Sequence, residues 1–109
     1  MMSLVVEVGN QHIQIDVPDD LPVEASDFFA RMDRDMDGGW QMSRWWVPDP
    51  DETQRCQIVA DKLLNAIQQK NTEFGMLMCA YILNLKPDTR RIIINTDGEI
   101  QGNQFLADH

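Results

Sequence analysis

Basic residues are scarce in this chain of 109 residues: nine Lys and Arg stand against eighteen Asp and Glu, a formal net charge of −9. A field of that sign opposes binding to nucleic-acid phosphates and to anionic membrane surfaces, so neither is an expected partner. Cysteine is nearly absent. Cys56 and Cys79 make no CxxC pair and have no neighbouring His, so they form neither a disulfide framework nor a thiolate metal signature. Both fall on apolar helical stripes, where a free Cys acts as a small buried hydrophobe. Core packing therefore outweighs a nucleophilic role for Cys56, and a reducing cytoplasm is the expected compartment. Long apolar runs are missing too. The longest, Met76 to Leu83, falls far short of the roughly 20 residues of a membrane span. The opening Met1-Met2-Ser3-Leu4-Val5-Val6-Glu7 has no basic region and is interrupted by a carboxylate, unlike a signal peptide. Histidine occurs only at His12 and His109, and no GxGxxG, GxxxxGK[ST] or GxSxG is present, so no enzyme activity is expected.

What is present suffices for one folded domain, residues 1–109, with 43% hydrophobic residues. Leu4, Val6 and Val8, then Ile13, Ile15 and Val17, alternate with other residues on either side of Gly9-Asn10, which reads as a β-hairpin. Ala25, Phe28, Phe29 and Met32 share one face of a short helix, with Asp20 as its cap and Pro22 in its first turn. From Asp33 to Pro48 regular periodicity fails, and a long irregular loop is expected. Asp49-Pro50-Asp51-Glu52 then reads as a capping box, with Asp49 at the cap, Pro50 at N1 and Glu52 at N3. Cys56, Val59, Ala60, Leu63 and Ile67 follow at helical spacing, and Thr72 is placed to cap a third helix, Glu73 to Leu85. That helix is apolar nearly all round, the mark of a central element. Ile92, Ile93 and Ile94 read as a strand, Asp97-Gly98 as a tight turn and Glu99-Ile100-Gln101 as the returning strand. The expected fold is α+β: N- and C-terminal hairpins form an antiparallel or mixed sheet packed against about three helices, in the order ββα-loop-ααββ.

Asp33-Arg34-Asp35-Met36-Asp37-Gly38 resembles the D-x-D-x-D-G start of an EF-hand calcium loop, with the preceding helix in place. The resemblance covers about Ala25 to Trp40. It implies Asp33, Asp35 and Asp37 as ligands, a turn at Gly38 and a backbone carbonyl from Gly39. The twelfth position, a bidentate Glu in the family, is Arg44 here, and Pro48 and Pro50 stand where the exiting helix would run. A site so depleted implies calcium affinity on the order of 10⁻⁴–10⁻³ M. The alternative reading has these Asp residues ending a helix and satisfying loop N–H groups, with no metal or other cofactor.

Residues 16 to 52 hold eleven acids against Arg31, Arg34 and Arg44, which is −8 of the total −9. The same region contains Trp40, Trp45 and Trp46 with Met32, Met36 and Met42. These read either as a hydrophobic cluster beneath the loop or as a partner-binding surface of Trp40, Arg44, Trp45 and Trp46, residue types enriched at interfaces. The sequence thus favours a small non-catalytic interaction or regulatory module using segment 33–52 toward a basic protein partner, with weak calcium binding as the alternative. Strands near either terminus also leave room for a homodimer through an exposed edge.

Overall fold

A computed structural model describes residues 1–107; His109 lies outside the described residues. Strand β1, Met2–Val8, turns at Gly9-Asn10 into β2, Gln11–Val17, in unbroken antiparallel register from Val8↔Gln11 to Met2↔Val17. Gly9 takes φ +60° while Asn10 does not, the pattern of a II′ turn, which an L side chain at the first position would strain. A single helical turn α1, Leu21–Glu24, follows Asp20, with Pro22 in its first turn where a missing N–H is harmless. Helix α2 is Ser26–Asp37, strands β3 and β4 are Trp40–Met42 and Trp45–Val47, and helices α3 and α4 are Glu52–Gln68 and Thr72–Leu85. Strand β5, Arg91–Ile94, a 3₁₀ turn Ile100–Gly102 and strand β6, Gln104–Leu106, are the last elements among the described residues.

The main sheet is mixed, in the order β2-β1-β5-β6, with β1 and β5 parallel and the two terminal hairpins antiparallel. The α+β class and the two hairpins joined in one sheet are as expected. Alternation buries Leu4, Val6, Ile92 and Ile94 on the face that meets α3 and α4. Helix α4 runs along β2, and α3 along β5. The opposite side of this helix pair carries α2: Phe28 stacks edge-on against Phe74 at 6.5 Å, and Phe29 against Tyr81 at 5.6 Å. Helix α4 is thus covered on both sides, which is why it has no polar face. Cys56 and Cys79 are free and fully buried in this core, and loss of water pushes both thiols up to about 12.

Five local expectations need correction. Asp20 makes no side-chain capping bond, and the helix bearing Phe28, Phe29 and Met32 starts separately, after Ala25. The stretch after Asp33 is ordered: α2 continues to Asp37, and a second antiparallel hairpin, β3–β4, pairs Trp40↔Val47, Gln41↔Trp46 and Met42↔Trp45. Met32 and Met36 extend the stripe begun by Phe29, and their burial carries the helix through the acidic segment. The cap of α3 is Asp51, not Asp49: its side chain accepts from Gln54 N–H at 2.8 Å, and Gln54 Oε1 accepts from Asp51 N–H at 2.9 Å. Asn71, not Thr72, caps α4 by accepting from Phe74 N–H. The C-terminal hairpin has no two-residue turn. Asn95 Oδ1 accepts from the N–H groups of Asp97 and Glu99, Ile100 packs on the core, and the strand returns only at Gln104.

Among the described residues no helix is long and apolar enough to cross a membrane.

Candidate interaction surface

The acidic region resolves into a buried-side latch and an exposed display. The latch centres on Arg55 in the first turns of α3, whose side chain is only 15% exposed. Its Nη2 donates to Asp37 Oδ1 at 2.8 Å, its Nη1 to Asp33 Oδ1 and to the Asp33 carbonyl at 3.3 and 3.2 Å, and its Nε to the Pro50 carbonyl at 2.9 Å. Asp49 Oδ1 lies 3.8 Å from Nη2. Tyr81 O–H, on α4, donates to the same Asp33 Oδ1 at 2.5 Å. One guanidinium and one carboxylate therefore join α2, α3, α4 and the exit of the β3–β4 hairpin. The Asp37 and Asp33 carboxylates raise the Arg55 pKa, and burial together with the Asp33 carboxylate raises that of Tyr81. A shallow cavity of about 350 Å³, lined by Asp33, Asp37, Glu52, Arg55, Tyr81 and Leu85, opens beside this latch.

The helix changes what Asp33, Asp35 and Asp37 can do together. In an EF-hand loop, alternate carboxylates converge on one point. On α2, Asp33 and Asp37 are one turn apart on the face toward Arg55, while Asp35 projects from another part of the helix and is exposed. Joint ligation would require the last turn of α2 to unwind and Arg55 to release both partners. No group of three or more His, Cys, Asp or Glu is placed to hold a metal ion among the described residues.

The display is the β3–β4 hairpin. Met42 is fully buried and roots it in the core. Trp40 is half-buried, with the Lys62 ammonium 4.8 Å from its ring centroid, a cation–π contact worth about 0.5–1 kcal/mol. At the turn, Ser43 takes φ +58°, a conformation that L residues seldom adopt. Two bonds hold it there: Ser43 Oγ donates to the Gly98 carbonyl and accepts from Ile100 N–H, both at 2.8 Å. The hairpin tip is thereby pinned to the loop before β6. Beyond that pin, Arg44, Trp45 and Trp46 face solvent, the indoles at 64% and 59% exposure. Trp46 lies across Gly39, whose φ of +106° and lack of a side chain admit the ring; a Cβ there would overlap Trp46 Cζ2.

The methionine and tryptophan set therefore divides. Met32, Met36 and Met42 are core and Trp40 is its cover, whereas Trp45 and Trp46 are outside it, so a single cluster beneath a loop does not form. Sequence reasoning missed Arg55 and Tyr81. The signal for Tyr81 was present, since a lone Tyr in an otherwise apolar helix needs a partner for its hydroxyl. Nothing marked Arg55. His12 is exposed on β2, 3.2 Å from Glu7.

No protein-family model, no curated protein and no solved structure matches this chain.

Proposed function

We propose that this protein is a non-catalytic interaction module whose contact surface is the β3–β4 hairpin, with Arg44, Trp45 and Trp46 as the contacts and the flanking acids as the surround. The observation that carries the reading is the pair of consecutive indoles at 64% and 59% exposure, Trp45 on the Met42 face and Trp46 on the Gln41 face of a hairpin anchored by buried Met42 and by both Ser43 bonds. Burying one such side chain in a partner supplies about 2–3 kcal/mol. Trp and Arg are also the residue types that most often dominate binding energy. Because the hairpin is held in place, little conformational freedom is lost on contact. Asp37 and Asp49 sit at its base, and Asp35, Asp51 and Glu52 are exposed nearby in the chain. The partner is accordingly a protein with an apolar recess rimmed by Lys and Arg.

The test is the Trp45→Ala/Trp46→Ala variant. It should retain the circular dichroism spectrum and melting temperature of the parent. Titration of the parent with a Lys- and Arg-rich amphipathic peptide should shift tryptophan emission to the blue and weaken as salt is raised, and the variant should bind at least about tenfold more weakly. A variant that melts as a core deletion does, or that binds the peptide like the parent, refutes the surface.

A further inference from the structure

We propose that a second copy of this chain adds to the free edge of β2, pairing antiparallel about a two-fold axis at Gln14, so that two four-stranded sheets become one. This inference is independent of the tryptophan hairpin, which belongs to the other sheet.

The two outer strands are β2 and β6. β6 has three residues, short enough to offer little template. β2 has seven in unbroken register and contains no Pro, no Lys and no bulge, the usual guards of an exposed edge. The two-residue turn settles which groups are free. The pair flanking such a turn, Val8 and Gln11, exchanges main-chain bonds, as do Val6↔Ile13, Leu4↔Ile15 and Met2↔Val17 in alternation. The N–H and C=O groups of His12, Gln14 and Asp16 therefore point outward. Among the described residues no main-chain bond reaches them.

The sequence of β2 is complementary to itself in one register that preserves this phase. Placing Gln14 on Gln14 of the second copy pairs His12 with Asp16, Ile13 with Ile15 and Gln11 with Val17, using the whole strand. Gln14 and the His12–Asp16 pairs then fall at hydrogen-bonded positions, where outward groups are available. The side chains agree. On the solvent face, Arg91, Glu7 and His12 form a row across β5, β1 and β2, with contacts of 3.4 and 3.2 Å, ending on an imidazole. A second row starts at Ser3, whose Oγ donates to Asp16 Oδ1 at 2.7 Å, and ends on a carboxylate that Gln14 Nε2 also reaches at 3.2 Å. In the proposed register each row's end meets the other's, the His12 imidazole against the Asp16 carboxylate, twice per dimer.

On the helix face, Ile13 and Ile15 line a cavity of about 530 Å³, with Ile67, Gly75 and Met76 on its far wall. A two-fold axis perpendicular to the sheet keeps both helix layers on one side. The two grooves then open toward each other and Ile13 packs against Ile15 of the second copy.

Sedimentation across the micromolar to millimolar range should give a concentration-dependent doubling of mass. Gln14→Pro removes an N–H that the monomer leaves free, so it should keep the monomer's circular dichroism and weaken association at least about tenfold. Gln14→Cys lies opposite itself at a Cα separation near 5.5 Å, within disulfide reach, and should cross-link on mild oxidation, whereas Gln11→Cys should not. A wild-type chain that stays monomeric, equal cross-linking of both Cys variants, or association lost in Trp45→Ala/Trp46→Ala but kept in Gln14→Pro overturns the proposal.

Discussion

Tyr81 is the only tyrosine in the chain, and its surroundings give it a measurable signature. Its hydroxyl is held by the Asp33 carboxylate, inside a helix covered on two sides. Desolvation first, then the bond and charge of Asp33, raise its pKa well above the ordinary 10.0. The folded state therefore holds the proton more tightly than the unfolded chain. The resulting stability is fully present below about pH 10 and is lost as pH rises from there toward the folded value. A spectrophotometric titration should show no tyrosinate in the native protein near pH 10, then a cooperative appearance coinciding with unfolding, while the urea-unfolded chain titrates normally. A native tyrosinate curve centred near pH 10 means the Tyr81–Asp33 bond is absent. Arg55 sits in the same knot, and its donated bonds explain why Asp33 and Asp37 turn toward α3 although the sequence offered them as loop ligands.

At the level of the element, the acidic start of α3 separates two candidate caps. Four chemically suitable residues in a row, Asp49-Pro50-Asp51-Glu52, identify the helix start but not its register, because Asp49 and Asp51 each have a partner three residues on. Burial of Pro50, whose carbonyl accepts from Arg55 Nε, selects Asp51. Asp51→Ala should cost about 1 kcal/mol in urea unfolding, and Asp49→Ala should fall within about 0.5 kcal/mol of the parent. The reverse order would place the cap at Asp49. Helix α2 and the β3–β4 hairpin were less legible for a related reason. Their apolar residues, Met32, Met36, Trp40 and Met42, are interleaved with Asp and Gly, which by local preference favour turns. Contact with α3 and α4 overrides that preference. In the C-terminal hairpin the reverse occurred: a strong Asp-Gly signal was taken up by Asn95 and a 3₁₀ turn, because Ile100 packs on the core.

For the whole molecule, charge distribution is the dominant surface property. Of the eleven acids between residues 16 and 52, ten are exposed and Asp33 is half-buried. Like charges so concentrated oppose the compact state. Adding salt from a dilute buffer to physiological strength should raise the melting temperature by roughly a few degrees, since screening acts on these exposed groups more than on the Arg55 latch. A melting temperature that falls with salt would mean that attractive surface pairs outweigh the repulsion. The same asymmetry assigns different partners to different faces. Seven of these acids, from Asp27 to Glu52, and both exposed indoles lie along α2, the β3–β4 hairpin and the start of α3, whereas the one acid on the free β2 edge, Asp16, is held by Ser3 and Gln14.

The sequence by itself determined the α+β class, the N-terminal hairpin, the central helix, the burial of both cysteines and the concentration of acid in one region. Each follows from periodicity, turn chemistry or composition, which act over a few residues. Only the tertiary structure decided that Asp33 and Asp37 turn to Arg55, that Met32, Met36 and Met42 are core while Trp45 and Trp46 are not, and that β2 rather than β5 or β1 is left at an edge. Those outcomes depend on which distant surfaces meet: Arg55 reaches Asp33 across 22 positions and Tyr81 reaches it across 48. No local pattern encodes such a meeting, because an Asp beside a Gly or a Trp beside a Trp has the same short-range preferences whether its neighbour in space is a guanidinium, a methionine or water.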